Sequence, residues 1–493
     1  MKAIFVAVML CLWCGVGRAE DHEAWKQIQP ALSKLLNDAA ARIDKVEGKE
    51  ADIARYRLAT ALAKSGDYAA ARKLAARLKD TDLAGSAWTT IGQMQGWKGR
   101  DRAAAADSFA RAVEAARRQE PGSFDQRSAY SDIVAAQARS GDIEGALRFA
   151  RGLDDEAKQK SLTRLARIAA RRGIEAPATA LLQVARDETE KSEALSLRAL
   201  AVAAREGDVP AARAALAKVT EPLHKVPVLL ELFDNPLGGK RGDPTLLDEA
   251  LAAVAQNKPA PSAFGFHDVE NDAARGAIAL RQLRVGTEPG PAIAKAKATL
   301  EAVKLPDNAQ KYIETFCEKL ALEDLPTVLA FAQRLAGEQR VAALSAIVRG
   351  LGRRLSARRL EPRPELRKTV EELVNQALAA ANELGESDRR WAGVPVARAL
   401  AEAGEFPAAY QVANSIDQAN QRAYAFASIA RSAIENQRGE QAREALKKLE
   451  AAALTEKQPE SAARIIGQAT LAITEPLLGD EPADVASAMA GLE

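Results

Sequence analysis

Residues 54–78 read ARYRLATALAKSGDYAAARKLAARL, and this stretch decides how the rest of the chain is read. From Ala54 to Lys64 apolar residues recur at helical spacing. Ser65-Gly66-Asp67 then breaks the run. Gly66 can take the left-handed backbone that closes a helix, and the Asp67 carboxylate can cap the next one. Tyr68 to Leu78 follows as a second helix with its apolar face at Ala71, Leu74, Ala75 and Leu78. Alanines at the contact positions let paired helices approach closely. Lys79-Asp80-Thr81-Asp82 is a polar connector. A lone helix pair cannot bury its apolar face, so the pattern demands neighbours that stack on it.

Those neighbours are present. Aligned on the turn glycine, the same order recurs in Ile133-Val134 … Gly141-Asp142 … Phe149-Ala150 … Leu153. It recurs in Leu200-Ala201 … Gly207-Asp208 … Leu216 … Val219, and in Val396-Ala397 … Gly404-Glu405 … Val412-Ala413 … Ile416. In all four copies the glycine lies 12 residues before the closing aliphatic residue. Weaker copies centre on Gly99, Gly173 and Gly439. Successive separations from Gly66 through Gly99, Gly141 and Gly173 to Gly207 are 33, 42, 32 and 34 residues.

A small residue in the first helix, Gly-Asp at the turn and alanine in the second helix, over a ~34-residue period, resemble tetratricopeptide repeats. The matching positions are Ala59, Gly66 and Ala71 in one unit, and Gly141 and Ala146 in another. The resemblance covers roughly residues 50–220 and 325–455. The family's Trp, Tyr and Phe positions are mostly aliphatic or alanine here, and its late proline is missing. The resemblance implies an all-α fold: an α-solenoid, a right-handed superhelix of stacked antiparallel helix pairs. The molecule is expected to be an elongated curved rod, with first helices lining its concave side.

Composition agrees with helix. The 493 residues are 47% hydrophobic and 28% charged, ordinary for a folded chain, and aromatics are only 4%. About a fifth of the residues are alanine, the best helix former and a poor strand former. Residues 221–325 break the repeat and form an irregular helical section. Asn235 to Pro244, Asn257 to Ser262 and Gly286 to Pro291 read as loops, with helices over Leu246–Gln256, Val269–Leu283 and Ile293–Val303 between them. Phe331-Ala332 … Leu335 then resumes the repeat spacing, Glu361-Pro362-Arg363-Pro364 is another break, and the tail after Pro476 reads as a cap or frayed end. The expected organisation is a leader at 1–19, N-terminal helical repeats at 20–220, the irregular section at 221–325, and C-terminal repeats with a cap at 326–493.

The leader is Met1-Lys2, an apolar run from Ala3 to Val16, and Gly17-Arg18-Ala19. This is the pattern of a cleaved secretory signal with a cut after Ala19. The run is shorter than the ~20 residues that span a bilayer. The mature chain is therefore expected in the periplasm or outside the cell, without stable membrane insertion. Lys2 and Arg18 leave with the leader, so 69 basic residues become 67, against 67 acidic ones. A formally neutral chain gives no argument for nucleic acid. Cys11 and Cys14 leave too, so Cys317 stands alone and reads as a buried, inert thiol.

Chemistry is sparse. The only histidines are His22, His224 and His267, at no zinc spacing. No cofactor is expected. After a cut behind Ala19, His22 becomes the third residue; the free amine, two backbone amides and the ring then offer four nitrogens to Cu(II) or Ni(II), a weak metal possibility. In the resembled family's register, inner-face positions lie 2, 3, 6, 9, 10 and 13 residues before the turn glycine, applied here to Gly66, Gly99, Gly141, Gly173 and Gly404. They select Arg57, Lys64, Arg139, Arg164, Arg167, Arg171 and Arg398, with Trp97 and Trp391. Lys160, Asp132 and Glu402 fall on the same positions. The charged members are mostly basic. The expected role is a non-enzymatic scaffold that binds a protein or peptide, acidic in character, on its concave face. Two rivals stand beside it. One is a helical enzyme acting on a cell-wall or polysaccharide substrate, with His267, Asp268 and Glu270 as the place to look. The other is a structural component of an envelope assembly, betrayed by apolar ends of the array.

Overall fold

A computed structural model describes residues 23–206, 209–234, 242–257, 269–283, 285, 289–303, 306–321, 323–357, 364–384 and 386–477. Among them are 24 helices and no strand. The chain opens with α1 (Glu23–Arg42), α2 (Lys49–Ser65), α3 (Tyr68–Ala75), α4 (Thr81–Trp97) and α5 (Arg102–Arg117). Then come α6 (Phe124–Arg139), α7 (Ile143–Arg151), α8 (Asp155–Ala170), α9 (Ala176–Val184), α10 (Glu188–Glu206) and α11 (Val209–Leu216). The middle third supplies α12 (Pro222–Asp234), α13 (Pro244–Gln256), α14 (Val269–Gln282), α15 (Pro289–Glu301) and α16 (Pro306–Leu320). The last third holds α17 (Leu325–Arg334), α18 (Gly337–Ala357), α19 (Pro364–Asn382), α20 (Glu386–Glu402), α21 (Phe406–Asn414), α22 (Ala419–Glu435), α23 (Gly439–Ala453) and α24 (Pro459–Leu477). The middle section is helical, as its composition implies; of its expected loops, residues 235–241, 258–262 and 286–288 lie outside the described residues, while Pro244 opens α13 and residues 289–291, expected in the third loop, open α15 instead.

The turn chemistry is the one the sequence prescribes. Gly66 closes α2 with φ 96°, and the Asp67 carboxylate accepts from the Ala70 N–H at the start of α3. Gly141 repeats this at φ 100°, with Asp142 accepting from Gly145 N. Gly173 and Gly404 also carry positive φ. Of the three weaker copies, those at Gly99 and Gly439 do not. Arg100 (φ 51°) takes the left-handed place beside Gly99, and Gln437 (φ 57°) takes it two residues before Gly439. There the helix closes on backbone bonds from Asp101 N to Gln95 O (3.0 Å) and from Arg438 N to Ala433 O (2.7 Å). The turn therefore survives without glycine in the left-handed place.

Helices pair with their sequence neighbours, and first helices also pack on first helices two elements away, which is the arrangement of an all-α solenoid. Close approach is literal. A Cβ added at Gly92 would lie 2.9 Å from the Phe109 ring, and one at Gly352 would lie 2.2 Å from the Ala403 Cβ.

Contacts divide the described chain into two compact units: residues 23–87 with 317–477, and residues 88–316. The second is one continuous stretch of local hairpins. The first is built from both ends of the chain. In it α2 packs on α3 and on α24, and α1 packs on α2, α23 and α24. Trp25, Ile28, Leu32, Leu36 and Ala39 form the apolar stripe of α1, and all are buried. Within this unit, helices from the two ends of the described chain pack side by side. Helix α24 is the neighbour of α2, and α1 supplies its partner; the tail expected after Pro476 to cap or fray lies, beyond Leu477, outside the described residues. A stripe of this kind has no way of naming its partner in the sequence, because every amphipathic helix carries one.

A buried ion pair fixes the root of α1. Arg55 Nη1 lies 2.9 Å from Asp52 Oδ1, both side chains almost fully covered. Arg55 also donates to Ile43 O (3.2 Å) and to Val46 O, holding the α1–α2 connector. Asp52 Oδ2 accepts from Lys79 N (3.0 Å) and Asp80 N (3.2 Å), holding the connector after α3. Each charge is hydrogen-bonded beyond its partner, which is what offsets the cost of burial.

Candidate functional site

The first-helix face of the second unit carries the densest set of sequence-selected residues. Arg139 lies at the end of α6, Arg164 and Arg167 lie on α8, and Arg171 caps α8. The hairpin repeat brings these four onto adjacent packed helices. Trp97 stands at the end of α4, 37% exposed, with Lys98 Nζ 4.8 Å from its ring centroid. Arg57 and Lys64 on α2, and Arg398 on α20, belong to the first unit. The side chain of Trp391 lies outside the described residues, as do His22, His267, Asp268 and the side chain of Glu270.

The arginines face carboxylates. Arg164 pairs with Asp132 of α6, 32 residues earlier. Both residues stand nine places before their own turn glycines, Gly173 and Gly141, so the pair joins equivalent positions of successive hairpins. Arg167 reaches Glu193 of α10 through Nη2 (2.7 Å) and Nε (3.2 Å). Farther along, Glu175 receives Arg198 (3.2 Å) and Arg205 (2.9 Å). At the N-terminal edge Arg127 lies 2.5 Å from Glu156, and Lys160 Nζ sits 4.4 Å over the ring of Phe124, which is 62% exposed. The face is thus a ladder of alternating charge rather than a uniformly positive strip. Glu193 is the residue the sequence reading passed over. It lies 14 places before Gly207, one step outside the offsets applied, and counting acidic residues along each first helix finds it.

Each rung is partly exposed, so its net stabilisation is about 0–1 kcal/mol. The rungs can still bind. An arginine has five N–H donors, and one carboxylate leaves several of them for a ligand. Arg172 shows the alternative use, donating to Ala138 O (2.9 Å) and Arg139 O (3.4 Å) at the end of α6. A cation beside the last carbonyls of a helix is favourable.

Arg398 has a different setting. Its Nε donates to Glu402 Oε1 at 2.6 Å, and Glu402 is 4% exposed. Arg349, also buried, lies 3.8 Å from Glu402 Oε2 and 3.5 Å from Glu318 Oε2. Arg57 packs with its guanidinium 5.4 Å from the Tyr56 ring centroid.

A polar cleft of about 470 Å³ opens where α22 and α24 begin. Asp417, Gln418, Arg422, Glu456, Ser461 and Arg464 line it. Arg422 is already engaged with Ile416 O (2.8 Å) and Asp417 O (3.1 Å). The lining contains neither histidine nor cysteine, so it has none of the nucleophile–base pairs of acyl transfer that rest on those residues. Among the described residues no group of three His, Cys, Asp or Glu is placed to hold a metal ion. No helix among them is long and apolar enough to cross a membrane.

The repeated hairpins define a helical-repeat protein. No protein-family model matches the chain, and no curated protein matches it. Among solved structures the chain matches a "Circular tandem repeat protein with novel repeat topology and enhanced subunit contact surfaces" at 15% identity, over 94% of this chain and 96% of that one, with a TM-score of 0.14. A superposition that loose carries no argument, and the fold stands on the helices and their packing.

Proposed function

We propose that this protein is an exported scaffold of tetratricopeptide-like repeats that binds a protein or peptide of acidic character and performs no chemistry itself. The supporting observation is the row Arg139, Arg164, Arg167 and Arg171 on packed first helices. Their positions are set by backbone packing before any ligand arrives, which lowers the ordering cost of binding. An acidic segment displaces or extends the Asp132 and Glu193 contacts, so binding weakens as salt rises. The leader at residues 1–19 carries the export reading, and a mature N-terminus at Glu20, read by mass spectrometry of the secreted chain, checks it.

The test uses a twelve-residue glutamate-rich peptide with a lysine-rich one as control. Reversal of Arg164, Arg167 and Arg171 to Glu is expected to weaken the acidic peptide at least tenfold at low salt. Equal affinity in the two proteins, or equal affinity for the two peptides, removes the reading.

A further inference from the structure

The first unit holds a repeat that no single stretch of sequence encodes. Its first helix, α24, comes from the C-terminal end of the described chain, and the helix that partners it, α1, from the N-terminal end. The two ends are fitted to one another at named points. A Cβ built at Gly439 lies 4.0 Å from the Cβ of Gln27 and 2.3 Å from its Oε1, so the Gln27 side chain lies directly over the start of α23. Arg42 reaches Glu450 at 3.5 Å. A Cβ at Gly467 would stand 3.0 Å from the Arg57 carbonyl carbon and 3.1 Å from Leu58 N, so α24 and α2 meet backbone to backbone. The Arg55 grip on Ile43 O and Val46 O holds the base of α1 to α2.

We infer that α1 is a latch whose closure on α23 and α24 is the last step in building the first unit, so that this unit becomes native only when the whole chain is present. The Arg42–Glu450 contact spans 408 residues, whereas the Arg164–Asp132 contact of the second unit spans 32. Loop-closure entropy grows with that separation, and contacts between distant segments form late. Until α23 and α24 arrive, α1 can bury its stripe of Trp25, Ile28, Leu32 and Leu36 against α2 alone. Helices α6 to α10 find every partner within a few dozen residues.

The experiment is pulsed hydrogen exchange during refolding of the full chain. The amides of α1, α2, α23 and α24 are expected to gain protection together, in a phase at least tenfold slower than α6 to α8. Protection of α1 as early as that of α8 overturns the inference. A second arm places Gln27→Cys and Gly439→Cys in a chain whose Cys11 and Cys14 are Ser, leaving only buried Cys317. The 4.0 Å Cβ separation matches a disulfide, and oxidised glutathione takes up the two electrons. The bond is expected to form in the native protein, and in the oxidised chain the slow phase of α1 is expected to quicken at least tenfold while α6 to α8 are unchanged. Failure of the bond to form shows the latch is not seated as described. An unchanged slow phase in the cross-linked chain also sinks the idea, since proline isomerisation would ignore the cross-link.

Discussion

The two units use the same part and assemble it differently. Unit two repeats a hairpin along a continuous stretch, residues 88–316, and its ion pairs join neighbours such as Asp132 and Arg164. Unit one repeats a similar hairpin but joins residues 23–87 to 317–477, and its contacts Arg42–Glu450 and Gly467–Arg57 cross more than four hundred positions. The local physics is shared, as Gly66 and Gly141 show with φ 96° and 100° and an aspartate cap after each. What differs is how much chain must be ordered before burial is gained. Repeat proteins behave as sums of neighbour terms, and here one neighbour term links the two ends of the described chain.

The hardest blow to this contrast is Leu32→Asp. Leu32 is fully buried in α1, and an unpaired carboxylate there costs on the order of 5 kcal/mol or more. Hydrogen exchange should report loss of protection in α1, α2 and α24 while α6 to α10 keep theirs; uniform loss across the chain would mean the units are not separable. Next comes Arg55→Met, which leaves Asp52 buried without its cation and is expected to cost about 3–5 kcal/mol, seen as a lower first transition in thermal unfolding. The same change at Arg167, whose pair with Glu193 is partly exposed, should cost no more than about 1 kcal/mol. Gly66→Ala and Gly141→Ala sharpen the comparison from the other side. Both positions have room for a methyl group, so each variant carries only the left-handed penalty of about 1–2 kcal/mol. The two values should agree in denaturant titrations, and a clear inequality would mean the hairpins are not locally equivalent.

A smaller effect follows from Tyr410. Burial, with Glu444 adding to it, pushes its hydroxyl up to about 12 from 10.0, and the hydroxyl donates to Gln441 O at 2.8 Å. A raised pKa in the folded state means the protonated phenol belongs to the native form. Its contribution is complete below pH 10 and is lost as pH climbs toward 12. Stability of the parent chain should therefore fall more steeply across that window than that of Tyr410→Phe; parallel curves would remove the assignment.

How much of this was legible in the chain follows from the same contrast. The turns were readable because glycine and aspartate act within four residues, and Gly66, Gly141, Gly173 and Gly404 all carry positive φ. Gly99 and Gly439 misled, because Arg100 and Gln437 carry the left-handed step instead. The helices of the middle third were readable from periodicity between loop-forming clusters. The role of α1 was not. Its stripe from Trp25 to Ala39 announces burial without saying against what. The arginine row was legible from the repeat register, but Asp132 and Glu193 show that selecting a face by offset says less about its field than asking which carboxylates the next hairpin presents.

The seating of Gln27 over Gly439 has a consequence for chain integrity. Ribosomes that stop early, or proteases that trim the distal helices, remove the wall on which the opening segment rests. The injury is then advertised far away in the primary structure, as bare tryptophan, isoleucine and leucine near the beginning, where quality-control factors that recognise greasy surface can act. On the latch inference, an intact distal segment is what keeps α1 covered.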